Sequence, residues 1–82
     1  MGLNGIHELK ILPQYFEKVL DGTKKFELRK NDRNYKIGDL IRLYEYDGKK
    51  YTGRCVIGAI TYILCDCDDF GLLDGYCILG FE

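Results

Sequence analysis

The sequence has a single proline among its 82 residues, against ten glycines. A chain with this ratio has many turns and bulges, which favours β structure. The seven tyrosines and four phenylalanines favour it as well, because aromatic residues are enriched in strands. A chain of this length forms one domain, residues 1–82, with a small hydrophobic core.

His7 is the only histidine, so metal sites built from several histidines are excluded. Cys65 and Cys67 are two residues apart, whereas zinc sites usually contain Cys-x(2–4)-Cys pairs. We therefore expect no metal and no cofactor. Without an export signal, we expect reduced thiols. Cys55 and Cys77 lie in apolar strand-like runs, and we expect both to be small buried hydrophobic residues.

No apolar run approaches the roughly 18 residues that a membrane span requires. The start, MGLNGIHELK, lacks the apolar core of a signal peptide. Ile6 also stands where a myristoylation signal has Ser or Thr. These absences predict a cytoplasmic protein that does not contact a membrane, and we take it as a monomer.

Charge is distributed unevenly along a chain whose formal net charge is −1. Residues 1–50 carry a net charge of +3 and residues 51–82 a net charge of −4. The acidic segment 66–74 would repel phosphates, so it is not expected to contact nucleic acid. The main basic segment is 22–33, GTKKFELRKNDR, with five basic and two acidic side chains.

Alternation and turn signals predict five strands and one early helix. IHELKIL alternates as a strand, Pro13 then begins a helix, and Gly22 ends it. Further strands are predicted at KKFELRK, LIRLYEY, TGRCVIGAITYIL and YCILGF. The helix has an apolar stripe for core packing, made of Tyr15, Phe16, Val19 and Leu20. This order predicts a mainly β (α+β) domain, a small five-stranded β-barrel with one N-terminal helix packed beside it.

The basic segment enters the second predicted strand. Alternation divides that strand into an ionisable side, Lys25, Glu27 and Arg29, and a second side, Phe26, Leu28 and Lys30. We expect the two apolar residues to anchor the strand and the ionisable row to line a cleft. Gly22 permits a sharp chain reversal, which brings Lys24 to the entrance of the strand.

A cation, a carboxylate and a guanidinium would then surround one site. Lys24 and Arg29 suit phosphate, and Arg29 can also stack on bases. Glu27 can accept a hydrogen bond from a base amino group or act as a general base. The structural alternatives are a Glu27–Arg29 salt bridge and a solvated Lys24. Lys30 and Arg33 either extend a phosphate track or are solvated surface residues.

The spacing Gly22-x-Lys24-x-x-Glu27-x-Arg29 after a helix resembles the signature of the ASCH domains of the PUA-like superfamily. The likeness runs from His7 to Phe81. It includes HELKILPQYFEKVLDGTKKFELRKNDRNYKIGDLIRLYEYD, YTGR, FGLLDGY and ILGF, and it is similar to the small single-domain branch called DUF3850. The resemblance implies a PUA-like β-barrel, a cleft between barrel and helix, and association with phages.

The resemblance further implies a binding module rather than an enzyme, with RNA or a nucleotide-like small molecule as partner. The candidate binding residues are His7, Lys10, Gly22, Lys24, Glu27, Arg29, Lys30 and Arg33.

Some relatives elsewhere in the superfamily are amidohydrolases that act on acetylated cytidine, with a lysine at the position of Lys24. They have Thr in place of Glu27 and a further Glu on a later helix, which is not predicted in this chain. Two alternatives stay open. One is a small amidohydrolase of an N-acylated nucleoside that uses Lys24 and Glu27, and the other is a phage-associated interaction module that contacts a host protein through the acidic loop 66–74.

Overall fold

The structure, a computed structural model, describes residues 5–82. Residues 1–4, part of the segment considered for targeting signals, lie outside that range. The described chain forms the predicted elements: β1 Ile6–Ile11, α1 Pro13–Leu20, β2 Phe26–Lys30, β3 Leu40–Tyr46, β4 Tyr51–Leu64 and β5 Tyr76–Phe81. A short 3-10 turn at Asp68–Phe70 was not predicted. The prediction of a mainly β domain with one helix is confirmed.

Helix α1 packs on the sheet through a narrower stripe than predicted. Pro13 occupies its first turn, where a missing N–H costs nothing. Phe16 and Val19 are buried, whereas Tyr15 and Leu20 remain exposed, because the helical period places Tyr15 and Leu20 at the two margins of the stripe. Within residues 5–82, we find no helix with the length and hydropathy that crossing a bilayer requires.

The five strands form one sheet in the order β1-β3-β4-β5-β2. Strand β1 pairs with β3 in parallel, and the other neighbours are antiparallel. The long strand β4 pairs with β3 up to Ala59 and with β5 from Ile60 onward, with an irregularity between Ile60 and Tyr62. Gly58 lies beside this change of partner, and a Cβ there would stand 2.9 Å from the Phe81 ring. The sheet can bend at this point because Gly58 has no side chain.

The core fills the concave side of the bent sheet. Its buried apolar residues are Leu9, Ile11, Phe16, Val19, Tyr35, Ile41, Leu43, Ile60, Cys77, Leu79 and Phe81. The predicted burial of Cys77 is confirmed, but Cys55 is exposed, so that prediction was wrong. Cys55 is the cross-strand partner of Tyr44, which alternates with the buried Leu43 and Glu45, so Cys55 lies on the outer face of the sheet.

Backbone pairing does not close the described sheet, and β1 and β2 are its two edges. Leu40 donates to the carbonyl of Gly5, so alternation turns the carbonyls of Glu8 and Lys10 away from β3. These carbonyls accept side-chain donors instead: Arg29 binds the Lys10 carbonyl, and Arg33 donates to the Glu8 carbonyl at 3.2 Å. Guanidinium groups thus stand where strand pairing would close a barrel, and the predicted barrel stays a prediction.

Strand β2 presents its two faces the other way round from the prediction. The alternation is correct, but Glu27 is buried, while Phe26 and Leu28 are 51% and 56% exposed. Burial of the carboxylate is tolerated because Lys24 and Arg29 meet its charge. The apolar side chains therefore face outward and do not anchor the strand.

Candidate functional site

A cleft of about 640 Å³ opens between the edge strands β1 and β2, beside helix α1. This volume lies in the range of small-molecule sites. Among residues 5–82, its ionisable lining consists of Lys10, Lys24, Glu27, Arg29 and Lys30. Its aromatic lining consists of Tyr15, Phe26 and Tyr76. Four cations and one carboxylate give the cleft a local charge of +3, although the protein has a net charge of −1.

The end of helix α1 places Lys24 at the cleft. Gly22 adopts a φ of +87°, a left-handed conformation that glycine adopts without steric strain. The reversed chain is held by the Lys18 carbonyl, which accepts the amides of Thr23 at 3.0 Å and Lys24 at 2.9 Å. Asp21 accepts the amide and hydroxyl of Thr23, and these hydrogen bonds lower its pKa. Gly22 itself does not line the cleft.

Glu27 lies between two cations. Lys24 Nζ binds Oε1, and Arg29 Nε donates to Oε2 at 2.8 Å. The Glu27–Arg29 salt bridge considered from the sequence is therefore present, and Lys24 is a third member of the cluster. Each carboxylate oxygen thus accepts a cationic donor, and the charge of Glu27 is balanced from both sides.

The ammonium of Lys24 also contacts aromatic and backbone groups. It donates to the Phe26 carbonyl at 2.6 Å and lies 5.0 Å from the Phe26 ring centroid and 5.7 Å from that of Tyr15. These contacts fix the ammonium against two rings that line the cleft. The side chains of Lys24 and Arg29 keep 15% and 23% of their surface exposed, so both cations remain accessible to a ligand.

Comparison with known proteins identifies the family. Residues 6–81 match the family described as Domain of unknown function (DUF3850). The chain belongs to this family. It is similar to the "Uncharacterized 12.9 kDa protein in GpA 3'region" of Escherichia phage P2, with 43% identity over 74 residues. The match covers 90% of this chain and 65% of the phage protein.

The DUF3850 resemblance drawn from the sequence is thus confirmed, and the similar protein comes from a phage. The wider ASCH and PUA-like assignment stays a prediction.

Three predicted site residues of this DUF3850 chain lie away from the cleft lining: His7, Gly22 and Arg33. His7 Nε2 lies 2.7 Å from Asp39 Oδ2, and its ring packs edge-on against Tyr35 with centroids 4.7 Å apart. Arg33 instead caps the free edge of β1 through the Glu8 carbonyl. The contacts of His7 and Arg33 join β1 to the segment between β2 and β3.

Asp39 was not singled out from the sequence, although it is one of the few buried carboxylates. It accepts hydrogen bonds from His7 and from the amides of Gly5 and Lys36. The His7 contact is the largest of the effects that lower the pKa of Asp39. The attachment of Asp39 to β1 depends on its contact with His7, 32 residues away, which no local pattern indicates.

A second buried carboxylate, Glu45, fastens helix α1 to the sheet. Arg54 donates to it through Nε at 2.8 Å and Nη2 at 3.0 Å. The same guanidinium binds Glu17 on the helix and lies 4.8 Å from the Phe16 ring centroid. The hydrogen bonds that Glu45 accepts from Arg54 and then Thr52 lower its pKa, and the hydrogen bonds that Arg54 donates to Glu45 and Glu17 raise the pKa of Arg54. This cluster lies outside the cleft and is structural.

The aromatic rings of the cleft were also missed. Tyr15 was assigned to the core stripe and Phe26 to a buried anchor, and Tyr76 was read only as part of a strand. The sequence signal for Phe26 was its alternation with Glu27, since burial of Glu27 turns the Phe26 ring outward. For metals, a search of residues 5–82 finds no group of three or more His, Cys, Asp or Glu side chains that could hold an ion.

Proposed function

We propose that this DUF3850 protein binds a nucleotide unit, as RNA or as a free nucleotide, in the cleft between β1, β2 and α1. The lining of the cleft carries the proposal. It has four cations and three aromatic rings, and its one carboxylate, Glu27, is already paired with two of the cations. Lys and Arg bind phosphate, and aromatic rings stack on bases. An anionic ligand with an aromatic ring matches both features.

Within the proposal, Glu27 is a positioning residue. It holds Lys24 and Arg29 on either side of one carboxylate. The two cations then converge on the cleft without a further loss of side-chain freedom when the ligand arrives. Lys10 and Lys30 supply charge at the rim and would contact phosphate.

The proposal also includes the ASCH and PUA-like relationship. In its support, the five-stranded sheet bends beside Gly58 until one guanidinium, that of Arg29, reaches from edge strand β2 to edge strand β1. The helix that precedes β2 supplies Lys24 and Tyr15 to the opening between those edges.

Binding is tested by titrating labelled single-stranded RNA and mononucleotides at low salt and at rising salt. Affinity is expected to fall steeply with salt, because phosphate contacts release counterions. Lys24→Ala and Arg29→Ala are expected to weaken binding about tenfold or more, since each removes a charge-assisted hydrogen bond. Lys25→Ala is the matched control: Lys25 is an exposed lysine of the same segment that does not line the cleft.

Lys30→Ala separates binding from folding, because Lys30 lines the cleft but is exposed. It is expected to weaken binding with no change in thermal stability. No binding at low salt, or equal losses in Lys25→Ala and Lys24→Ala, would overturn the proposal.

The amidohydrolase alternative is favoured by one observation, the direct contact between Lys24 and Glu27 inside the cleft. Binding is preferred over it, because both Glu27 oxygens are engaged by cations. Turnover of an N-acylated cytidine by the wild type, lost in Lys24→Ala, would support the hydrolase. Background turnover in both proteins would remove it.

A further inference from the structure

Three tyrosines form a cluster on the outer face of β3 and β4. Tyr46 and Tyr51 are cross-strand partners whose ring centroids lie 5.1 Å apart at 63°. Tyr44 packs on the same ring of Tyr51 at 6.1 Å and 76°. Edge-on packing of this kind holds an aromatic ring in place. Tyr51 nevertheless keeps 54% of its surface exposed, so a fixed ring is presented to solvent.

Lys10 joins this cluster to the cleft. It lines the cleft, and its ammonium lies 4.4 Å from the Tyr46 ring centroid and 5.8 Å from that of Tyr51. A phosphate bound by Lys10 would therefore lie between a nucleotide in the cleft and an aromatic ring outside it.

The surroundings of Tyr51 are basic. Lys49 and Lys50 precede it in the β3–β4 hairpin, and neither forms a salt bridge among residues 5–82. The two lysines outnumber Asp47, the carboxylate of the same turn. Asp47 accepts the amides of Lys49 and Lys50 at 2.9 Å each, and Glu8 is paired with Arg42 at 3.1 Å.

The end of the cleft at Tyr76 is less favourable to a phosphate chain, because the acidic loop 66–74 offsets the charge of Lys30, the strand partner of Tyr76. Leu28 and Tyr76 line the cleft and also a smaller hollow of about 220 Å³ that includes Gly71, Leu72 and Leu73. Gly71, Leu72 and Leu73 belong to the loop that carries Asp66, Asp68, Asp69 and Asp74. Like-charge repulsion at that end directs a polyanion toward Lys10 and the tyrosines.

We infer that the site takes single-stranded RNA of at least two nucleotides, with one nucleotide in the cleft, its phosphate on Lys10 and the adjoining base stacked on Tyr51. The inference rests on the proposed function and extends it, because it selects RNA over a free nucleotide. Stacking on an exposed ring is tolerant of base identity, so little sequence preference is expected at this position.

The test compares a labelled pentanucleotide of uridine with UMP as competitor, at low salt, on wild type and variants. Tyr51→Ala is expected to weaken the pentanucleotide about tenfold, as for the loss of one stacked base, and to leave UMP unchanged. Tyr51→Phe keeps the ring and should bind as the wild type does. Tyr62→Ala is the matched control, because Tyr62 is also exposed on β4 but pairs with β5, away from the cluster.

A second variant protects the test against misfolding. Lys49→Ala combined with Lys50→Ala changes two exposed side chains and should weaken the pentanucleotide more than UMP. The inference is overturned if Tyr51→Ala leaves the pentanucleotide unaffected, if it weakens both probes equally, or if UMP binds as tightly as the pentanucleotide. If neither probe binds to the wild type, the proposed function fails, and that result is distinct from a silent Tyr51→Ala in a protein that binds RNA.

Discussion

Gly22 shapes the cleft although it does not line it. It has a φ of +87°, and a Cβ there would meet nothing within 4 Å. Any penalty for a side chain at this position is therefore a backbone penalty. The turn matters because the next two residues bring Lys24 back onto the helix end.

We predict that Gly22→Ala lowers the free energy of unfolding by about 1–2 kcal/mol, the cost of a left-handed conformation for an L-residue. Urea denaturation measures it. Gly5→Ala is the control, because an added Cβ at Gly5 makes ordinary contacts of 3.5 Å or more and φ is not positive there. Equal losses in the two variants would show that the turn at Gly22 is not the cause.

Asp39 gives a prediction for acid stability. The hydrogen bond from His7 is the main cause of its lowered pKa. A carboxyl with a lowered folded-state pKa stabilises the protein above its ordinary value of 3.8, and this stabilisation is lost as the pH falls through the folded-state pKa. Asp39→Asn should lower stability at neutral pH and flatten the loss of stability below about pH 4.

Unfolding midpoints between pH 2 and pH 7 would check the Asp39 prediction. The control is Asp69→Asn, an exposed carboxylate without a salt bridge among residues 5–82, which should leave stability at neutral pH unchanged. If Asp39→Asn loses as much stability between pH 7 and pH 2 as the wild type does, Asp39 is not the source of that loss.

At the scale of elements, helix α1 is attached to the sheet by a charged clamp as well as by Phe16 and Val19. Arg54 reaches from β4 to Glu45 on β3 and to Glu17 on the helix. Arg54 is the one basic residue of segment 51–82. The attachment also bears on the cleft, because α1 supplies one of its walls.

Arg54→Ala is predicted to destabilise the protein more than Arg42→Ala. The first change leaves the buried Glu45 without a cation, which costs its desolvation. The second breaks an exposed pair with Glu8, and exposed pairs contribute little. Thermal unfolding of both variants decides the matter, and a ranking in the reverse order would contradict the clamp.

At the scale of the whole molecule, the basic and acidic halves of the sequence meet at the cleft. The cations line the opening between β1 and β2, and the acidic loop borders one end through Leu28 and Tyr76. Asp68 and Asp69 are exposed on this loop. Their charges are expected to repel an approaching polyanion at low salt.

The double variant Asp68→Asn, Asp69→Asn is predicted to bind RNA several-fold more tightly than the wild type at low salt. The difference should vanish near 1 M salt, where the screening length is about 3 Å. Titrations across salt concentrations measure it. A pull-down from host lysate tests the interaction-module alternative. That alternative is favoured if the double variant binds RNA only as tightly as the wild type does and no longer captures a host protein.

The sequence by itself determined the features that depend on near neighbours. Pro13 and Gly22 marked the start and the end of the helix, and alternation located the strands. Glu27 and Arg29 are two residues apart on a strand, which placed them on one face. Such features follow from φ/ψ preferences and the period of a strand, which act over a few residues. The core of the candidate site could therefore be named without a structure.

Only the tertiary structure decided which face of β2 is buried, because either face satisfies the alternation. The apolar face of Phe26 and Leu28 was the expected choice, but Lys24 and Arg29 make Glu27 the buried one. The open seam between β1 and β2, the place of Lys10 beside Tyr51, and the attachment of His7 to Asp39 depend on how distant segments meet. Contacts between segments this far apart in the chain leave no periodic trace in the sequence, so only the fold could reveal them.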